Sequence, residues 1–326
     1  MAADITLSLK NFLAHKTGLR FLFFGGKGGV GKTVMAGATA LWLARQGKKT
    51  LLASTNPVHS LSGLLDLNVY GQITPLPGEP RAFAYEIDTR ETIERSRREI
   101  QEKINWFLRF ADLHLKADDF VEAATLNPAF EESAMFENML DLMFGEEFEV
   151  YVFDTAPTAN ARRLLGMSRV YSLWVNKMMK SREEAKSLRQ LLSFSQKEEA
   201  DPLMDYLVKF QERIGRARKL LTDPDLTAFF FVTLPEALPI AVITRFLSWF
   251  YDFGIPVGGI IVNGLLPEPE GEAVPEFIAH RRDMQAEHLE NIWRLFDGQV
   301  RALVPLFGRE IRGLEGLEQL MARLFS

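Results

Sequence analysis

Phe21-Leu22-Phe23-Phe24-Gly25-Gly26-Lys27-Gly28-Gly29-Val30-Gly31-Lys32-Thr33 is an apolar run that passes straight into glycines, and a helical pattern follows from Val34 to Arg45. Gly26 to Thr33 fits G-x-x-x-x-G-K-[ST], the loop that cradles phosphates between a strand and a helix. Glycines let consecutive backbone N–H groups curl around a polyphosphate without a Cβ in the way. The helix opening at the loop turns its positive dipole end toward the same anion. On this reading Gly26, Lys27, Gly28, Gly29, Val30, Gly31, Lys32 and Thr33 all line a nucleotide. Lys32 places its ammonium on the β- and γ-phosphates, and the Thr33 hydroxyl takes a ligand position on Mg²⁺. The alternative is a glycine-rich turn that binds nothing, and the strand–loop–helix context argues against it.

Working outward, strand patterns recur at Thr50–Ala53, Ala82–Ile87, Glu149–Phe153, Thr227–Thr233, Val257–Val262 and Val300–Val304, with helical patterns between them. A short amphipathic segment at Leu7–Ala14 precedes the first strand, and a long charged helix is expected over Ala279–Asp297. Strands alternating with helices behind a glycine-rich first turn predict an α/β fold with a doubly wound, mostly parallel sheet. Two blocks depart from this rhythm and read as helical throughout, so they are expected to form an inserted subdomain. The expected division is a nucleotide-binding domain of residues 1–90, 146–166 and 223–326, with a helical subdomain of residues 91–145 and 167–222. Met135, Met139 and Met143 lie on one helical face, and Trp174, Met178 and Met179 follow in the second block. Such residues either make an adaptable apolar surface or are ordinary core.

An acidic residue closes the strand at Glu149–Phe153. Asp154, followed by Thr155-Ala156-Pro157-Thr158, stands where a phosphate-loop ATPase holds Mg²⁺ directly or through water. An Asp in that place can also simply cap a turn; its pairing with the phosphate loop favours the metal role.

Composition narrows the classes. With 326 residues the chain can bury a large core, and a formal net charge of −5 offers no general basic footprint for nucleic acid. There is no cysteine, so disulfides, iron–sulfur clusters and thiolate zinc sites are not expected. The N-terminal residues lack a secretory pattern and no stretch approaches a membrane span, so a cytoplasmic protein is expected.

Lys27 sharpens the reading. Gly-Lys-Gly-Gly-Val-Gly-Lys-Thr at 26–33 resembles the deviant phosphate loop of a superfamily of dimeric ATPases. Septum-site and plasmid-partition ATPases, the nitrogenase iron protein, and the arsenite-pump and tail-anchored-protein-targeting ATPases belong to it. The last of these branches is the one the chain resembles over nearly its whole length. The likeness rests on Asn-Pro-Val-His-Ser-Leu-Ser at 56–62, Val-Phe-Asp-Thr-Ala-Pro-Thr at 152–158, Thr-Asp-Pro-Asp-Leu-Thr at 222–227, Val-Thr-Leu-Pro-Glu-Ala-Leu-Pro at 232–239, Val-Asn-Gly-Leu-Leu-Pro at 262–267 and Val-Pro-Leu at 304–306.

The resemblance implies ATP and Mg²⁺ as cofactors and a homodimer in which Lys27 reaches the partner's nucleotide. It implies that Asn56 to Ser60 and Asp154 to Thr158 act as two switches, with Thr33 and Asp154 at the metal. It further implies that Asn263 bonds the adenine edge, that Pro305 lines the adenine pocket, and that Glu236 contacts nucleotide near the dimer interface. Lys27, Lys32, Asn56 and Asp154 are then the catalytic group. A helical subdomain that takes a membrane-protein client is one implied use, and a membrane anion or metalloid pump as partner is another.

Three positions depart from the family. Asn56 stands where the family carries an Asp that orients the attacking water, so slow hydrolysis is expected, or at the limit an ATP-gated binding switch. The pump branch senses arsenite through cysteines, which are absent here. The targeting branch often joins its dimer through zinc on a Cys-x-x-Cys pair, and the corresponding region reads Pro275-Glu276-Phe277-Ile278-Ala279-His280. One histidine is a poor zinc site.

Overall fold

A computed structural model describes residues 7–55, 60–88, 91–95, 97, 98, 101, 102, 128–155, 176, 177, 179, 180, 202–268 and 275–326. Eight strands form one sheet: β1 (Phe21–Gly25), β2 (Thr50–Ser54), β3 (Thr74–Leu76), β4 (Glu79–Glu86), β5 (Val150–Asp154), β6 (Thr227–Thr233), β7 (Val257–Leu265) and β8 (Val300–Pro305). Their order across the sheet is β3-β4-β2-β5-β1-β6-β7-β8. Every neighbouring pair is parallel except β3 with β4. The mostly parallel, doubly wound sheet expected from the sequence is therefore the observed one.

The alternation of side chains along each strand explains the two cores. In β1, Leu22 and Phe24 face a layer containing Leu41, Leu52, Val152, Phe230, Leu317 and Leu320. Phe21 and Phe23 face the opposite layer with Leu140, Met143, Phe153, Leu221, Ile243 and Phe250. Helices α1 (Leu9–His15), α2 (Lys32–Arg45) and α3 (Ser60–Leu65) cover the first face together with the C-terminal helix α8 (Gly313–Leu324). Helices α4 (Pro128–Gly145), α5 (Pro202–Thr222), α6 (Ala237–Asp252) and α7 (Glu276–Leu295) cover the second. Burial on both faces is what a parallel sheet needs, and it is why these strands read as continuous apolar runs.

Several elements differ from their expected bounds. The first long helix opens at Lys32 rather than Val34, because left-handed Gly31 ends the phosphate loop as the N-cap and helical backbone follows at once. Strand β3 was not foreseen: it is three residues long and contains Pro75, both of which confine it to the sheet edge. Helix α8 was also missed, although Leu314, Leu317, Leu320 and Leu324 carry the helical spacing.

Of the two helical blocks, only parts are described. Met135, Met139 and Met143 are all buried, and the latter two pack against the sheet. These three methionines are core, not an exposed stripe. Arg213 of α5 bonds Glu137 and Asp141 of α4 at 3.0 and 2.7 Å, which ties the two helices together. Trp174 and Met178 lie outside the described residues.

Candidate functional site

All strands but β3 run the same way, so the loops after β1, β2, β5, β7 and β8 gather at one end of the sheet. The phosphate loop leaves the centre of that end, between β5 and β6. Phe24 of β1 is in register with Asp154 of β5, and Asp154 with Ser54 of β2. The register alone brings the glycine loop, an acid and a hydroxyl together.

Lys32 is 7% exposed, yet its ammonium makes one long hydrogen bond among the described residues, 3.3 Å to the backbone carbonyl of Lys27. An ammonium carries three donors. Burial lowers its pKa, and the nearby Asp154 charge opposes that shift. Such a cation is under-satisfied beside the glycine loop, and an anion held by the loop's amides would answer that deficit.

Asp154 is fully buried. Its Oδ2 accepts from the Thr33 hydroxyl at 2.7 Å and lies 3.5 Å from the Ser54 hydroxyl. Its Oδ1 has no hydrogen-bond partner among the described residues. Burial pushes the carboxyl up to about 6, opposed by the Thr33 bond, the Lys32 charge and the Ser54 bond and reinforced by Glu86. An orphaned carboxylate oxygen beside a threonine hydroxyl is an all-oxygen donor set that fits Mg²⁺ rather than a soft metal. Among the described residues there is no cluster of three or more His, Cys, Asp or Glu that could hold a metal by itself.

The raised carboxyl has a thermodynamic consequence. Between 3.8 and about 6 the folded protein without nucleotide or metal holds a proton at Asp154 that the unfolded chain has released. Stability therefore falls as pH rises through that window, by on the order of 3 kcal/mol in all. Thermal midpoints of native protein minus those of Asp154→Asn should decline from about pH 4 to about pH 6 and then level. A difference that rises with pH would contradict the assignment.

The remaining sequence-predicted residues fall as follows. Asn263, at the end of β7, donates its amide to the carbonyl of Val30 at 3.0 Å, so it braces the phosphate loop. Gly31, at φ +96°, is the residue this approach requires: a Cβ there would stand 2.5 Å from the Asn263 amide nitrogen. Pro305 ends β8, with Leu306 bonded back to Leu265 and 55% exposed. Glu236 stands at the N-cap position of α6 with no side-chain cap bond, and its carboxylate lies 3.5 Å from the Arg281 guanidinium of α7. Lys27 is half-buried in the loop, and Gly28 and Gly29 are exposed beside it. Asn56 lies outside the described residues.

A cleft of about 420 Å³ opens beside Thr33 and Val34, lined also by Ser60, Gly63, Leu64, Glu310, Ile311 and Arg312. The last three had no place in the sequence reading; only their position ahead of the unforeseen helix α8 could have pointed to them.

Residues 19–326 match the family model described as anion-transporting ATPase. The chain is 34% identical over 306 residues to a Halobacterium salinarum protein whose name is that of an arsenical pump-driving ATPase, covering 94% of this chain and 44% of that one. This chain therefore spans less than half the length of that relative. It is 27% identical over 332 residues to the ATPase ASNA1 homolog 1 of Paramecium tetraurelia, covering 100% of this chain and 98% of the relative. It is 31% identical over 331 residues to the ATPase get3 of Pyrenophora tritici-repentis, with 99% and 95% covered.

Proposed function

The chain belongs to the anion-transporting ATPase family, and from that premise we propose that it is a Mg²⁺-dependent, homodimeric ATPase that uses ATP binding and slow hydrolysis to drive its helical blocks between two arrangements. The observation that carries this reading is the pairing of a buried, under-satisfied Lys32 with an Asp154 oxygen that has no hydrogen-bond partner among the described residues, both beside the glycine loop. The loop amides and Lys32 bind and orient the β- and γ-phosphates. Thr33 and Asp154 hold Mg²⁺, which when bound offsets charge on the phosphate oxygens. Asn263 keeps the loop in place through Val30. Asn56 positions the attacking water but cannot take its proton, which makes hydrolysis slow. Lys27 supplies a cation to the partner subunit's nucleotide.

The helical blocks are the surface through which the cycle is used. Since Met135, Met139 and Met143 are core, a membrane-protein client would meet other residues of those blocks. No helix among the described residues is long and apolar enough to cross a membrane.

The test is turnover of Mg²⁺-ATP by native protein, Lys27→Ala, Asn56→Asp and mixtures of Lys27→Ala with Lys32→Met. Native protein should turn over slowly, Asn56→Asp faster, and each lysine variant alone by ~10²-fold less than native. Mixing the two lysine variants should restore part of the rate, because a mixed dimer holds one site with both lysines. No gain on mixing, with dimers present, would sink the action of Lys27 in the partner's site. Tight ATP binding without turnover in native protein, and turnover in Asn56→Asp, would replace the hydrolytic cycle by an ATP-gated switch.

A further inference from the structure

Glu86 closes β4 and is completely buried, and among the described residues no cation pairs with it. Among the described residues, the start of α3 supplies the hydrogen bonds to both of its carboxylate oxygens. Oε1 accepts the backbone N–H of Leu61 at 2.9 Å, and Oε2 accepts the Ser62 N–H at 3.2 Å and the Ser62 hydroxyl at 2.6 Å. A buried carboxylate is expensive unless donors surround it, and three donors from one turn of one helix make it a clamp on that turn.

The clamp sits in the same row as the nucleotide site. Glu86 pairs in register with Ser54, and Ser54 with Asp154, so the acid that would hold Mg²⁺ and the acid that holds α3 flank one serine across adjacent parallel strands. Two strand spacings, about 10 Å, separate their backbones. Immediately ahead of the clamped turn stands Ser60. Its hydroxyl is buried without a hydrogen-bond partner among the described residues, and it lines the cleft that Thr33 also lines. A residue on the wall of that cleft, with an unpaired hydroxyl just beneath the surface and next to a turn that Glu86 bonds, is placed to meet a ligand that enters the cleft.

We propose that Glu86 is a positioning residue for ATP hydrolysis: by locking the first turn of α3 to the end of the sheet it holds Ser60 in the cleft beside Thr33. The proposal rests on the ATPase reading above. Glutamine at position 86 keeps the volume but turns an amide N–H toward a backbone N–H, so it opens the clamp without opening a cavity. Ser62→Ala removes the shortest of the three bonds, together with the 3.4 Å bond that the Ser62 hydroxyl accepts from the Val69 N–H.

Both variants are compared with native protein for three quantities: kcat at saturating Mg²⁺-ATP, ATP affinity by calorimetry, and amide exchange of residues 61–65. Glu86→Gln should lose ~10- to 100-fold in kcat, with affinity changed by less than about threefold and faster exchange confined to α3. Ser62→Ala should move each readout the same way by less, and it keeps the proposal open to test even where Glu86→Gln fails to fold. If native protein turns over and both variants match its kcat within about twofold, or if kcat and affinity fall together, the positioning role is overturned while the ATPase reading stands. Absence of turnover in native protein would overturn both, and exchange of α3 would then report on the clamp alone.

Discussion

Lys32→Met should cut ATP turnover by ~10²–10³-fold while leaving the nucleotide-free protein as stable as the native one to within about 1 kcal/mol. The two halves of this result have one cause. The Lys32 ammonium is buried, makes a single 3.3 Å bond among the described residues, and has its pKa lowered by desolvation. Holding it there costs the apo protein free energy that the attraction of Asp154 only partly offsets. Methionine fills nearly the same volume with no charge to desolvate. Asp154 loses its nearest cation and stays protonated to higher pH, which removes the other half of the buried pair. With ATP present the balance reverses, since the phosphates lose the cation that offsets their charge. Single-turnover kinetics with paired thermal melts check both halves. A variant that lost activity and several kcal/mol of stability together would mean that Lys32 is a structural residue.

How much of this could be read from the sequence depends on how far apart the interacting residues stand. The phosphate loop is contiguous, so its residue types and its strand and helix flanks are legible at once. Asp154 is 121 residues from Thr33, and only the strand pattern ahead of it marks it as a strand-end acid. Glu86 has the same position at the end of β4 and was passed over, because nothing in Ala-Tyr-Glu-Ile announces that its partners lie upstream in α3. The resemblance singles out Asn263 for the adenine edge; its observed contact with the Val30 carbonyl depends on how β7 passes the loop, which no local pattern encodes. The Met stripe in α4 has the spacing of a surface and of a core alike; the packing of α4 on the sheet decides for core. The edge strand and α8 were missed for opposite reasons: β3 carries a proline that argues against a strand, and α8 carries a leucine pattern that was there to be counted.

Gly26→Ala should destabilise the protein by about 3 kcal/mol or more and abolish nucleotide binding, whereas Gly28→Ala should weaken nucleotide binding with little change in stability. Gly26 holds φ +149°, and a Cβ built on it would come within 2.3 Å of the Val232 carbonyl oxygen. That oxygen belongs to central strand β6, whose burial leaves it nowhere to move. The alanine thus meets both a backbone collision and a backbone angle that side chains avoid, and neither is relieved by a rotamer change. The loop must lift from β6, and the amides that would meet the phosphates lift with it. Two residues on, Gly28 has open space around a built Cβ and is exposed, so nothing in the apo fold resists the methyl group. The phosphate that the loop curls around would meet it instead. Melting curves of the two variants, read beside their ATP affinities, separate the effects. Equal loss of stability in both would mean that the glycines serve the turn alone, and retained binding in Gly28→Ala would mean that the anion does not sit against this loop.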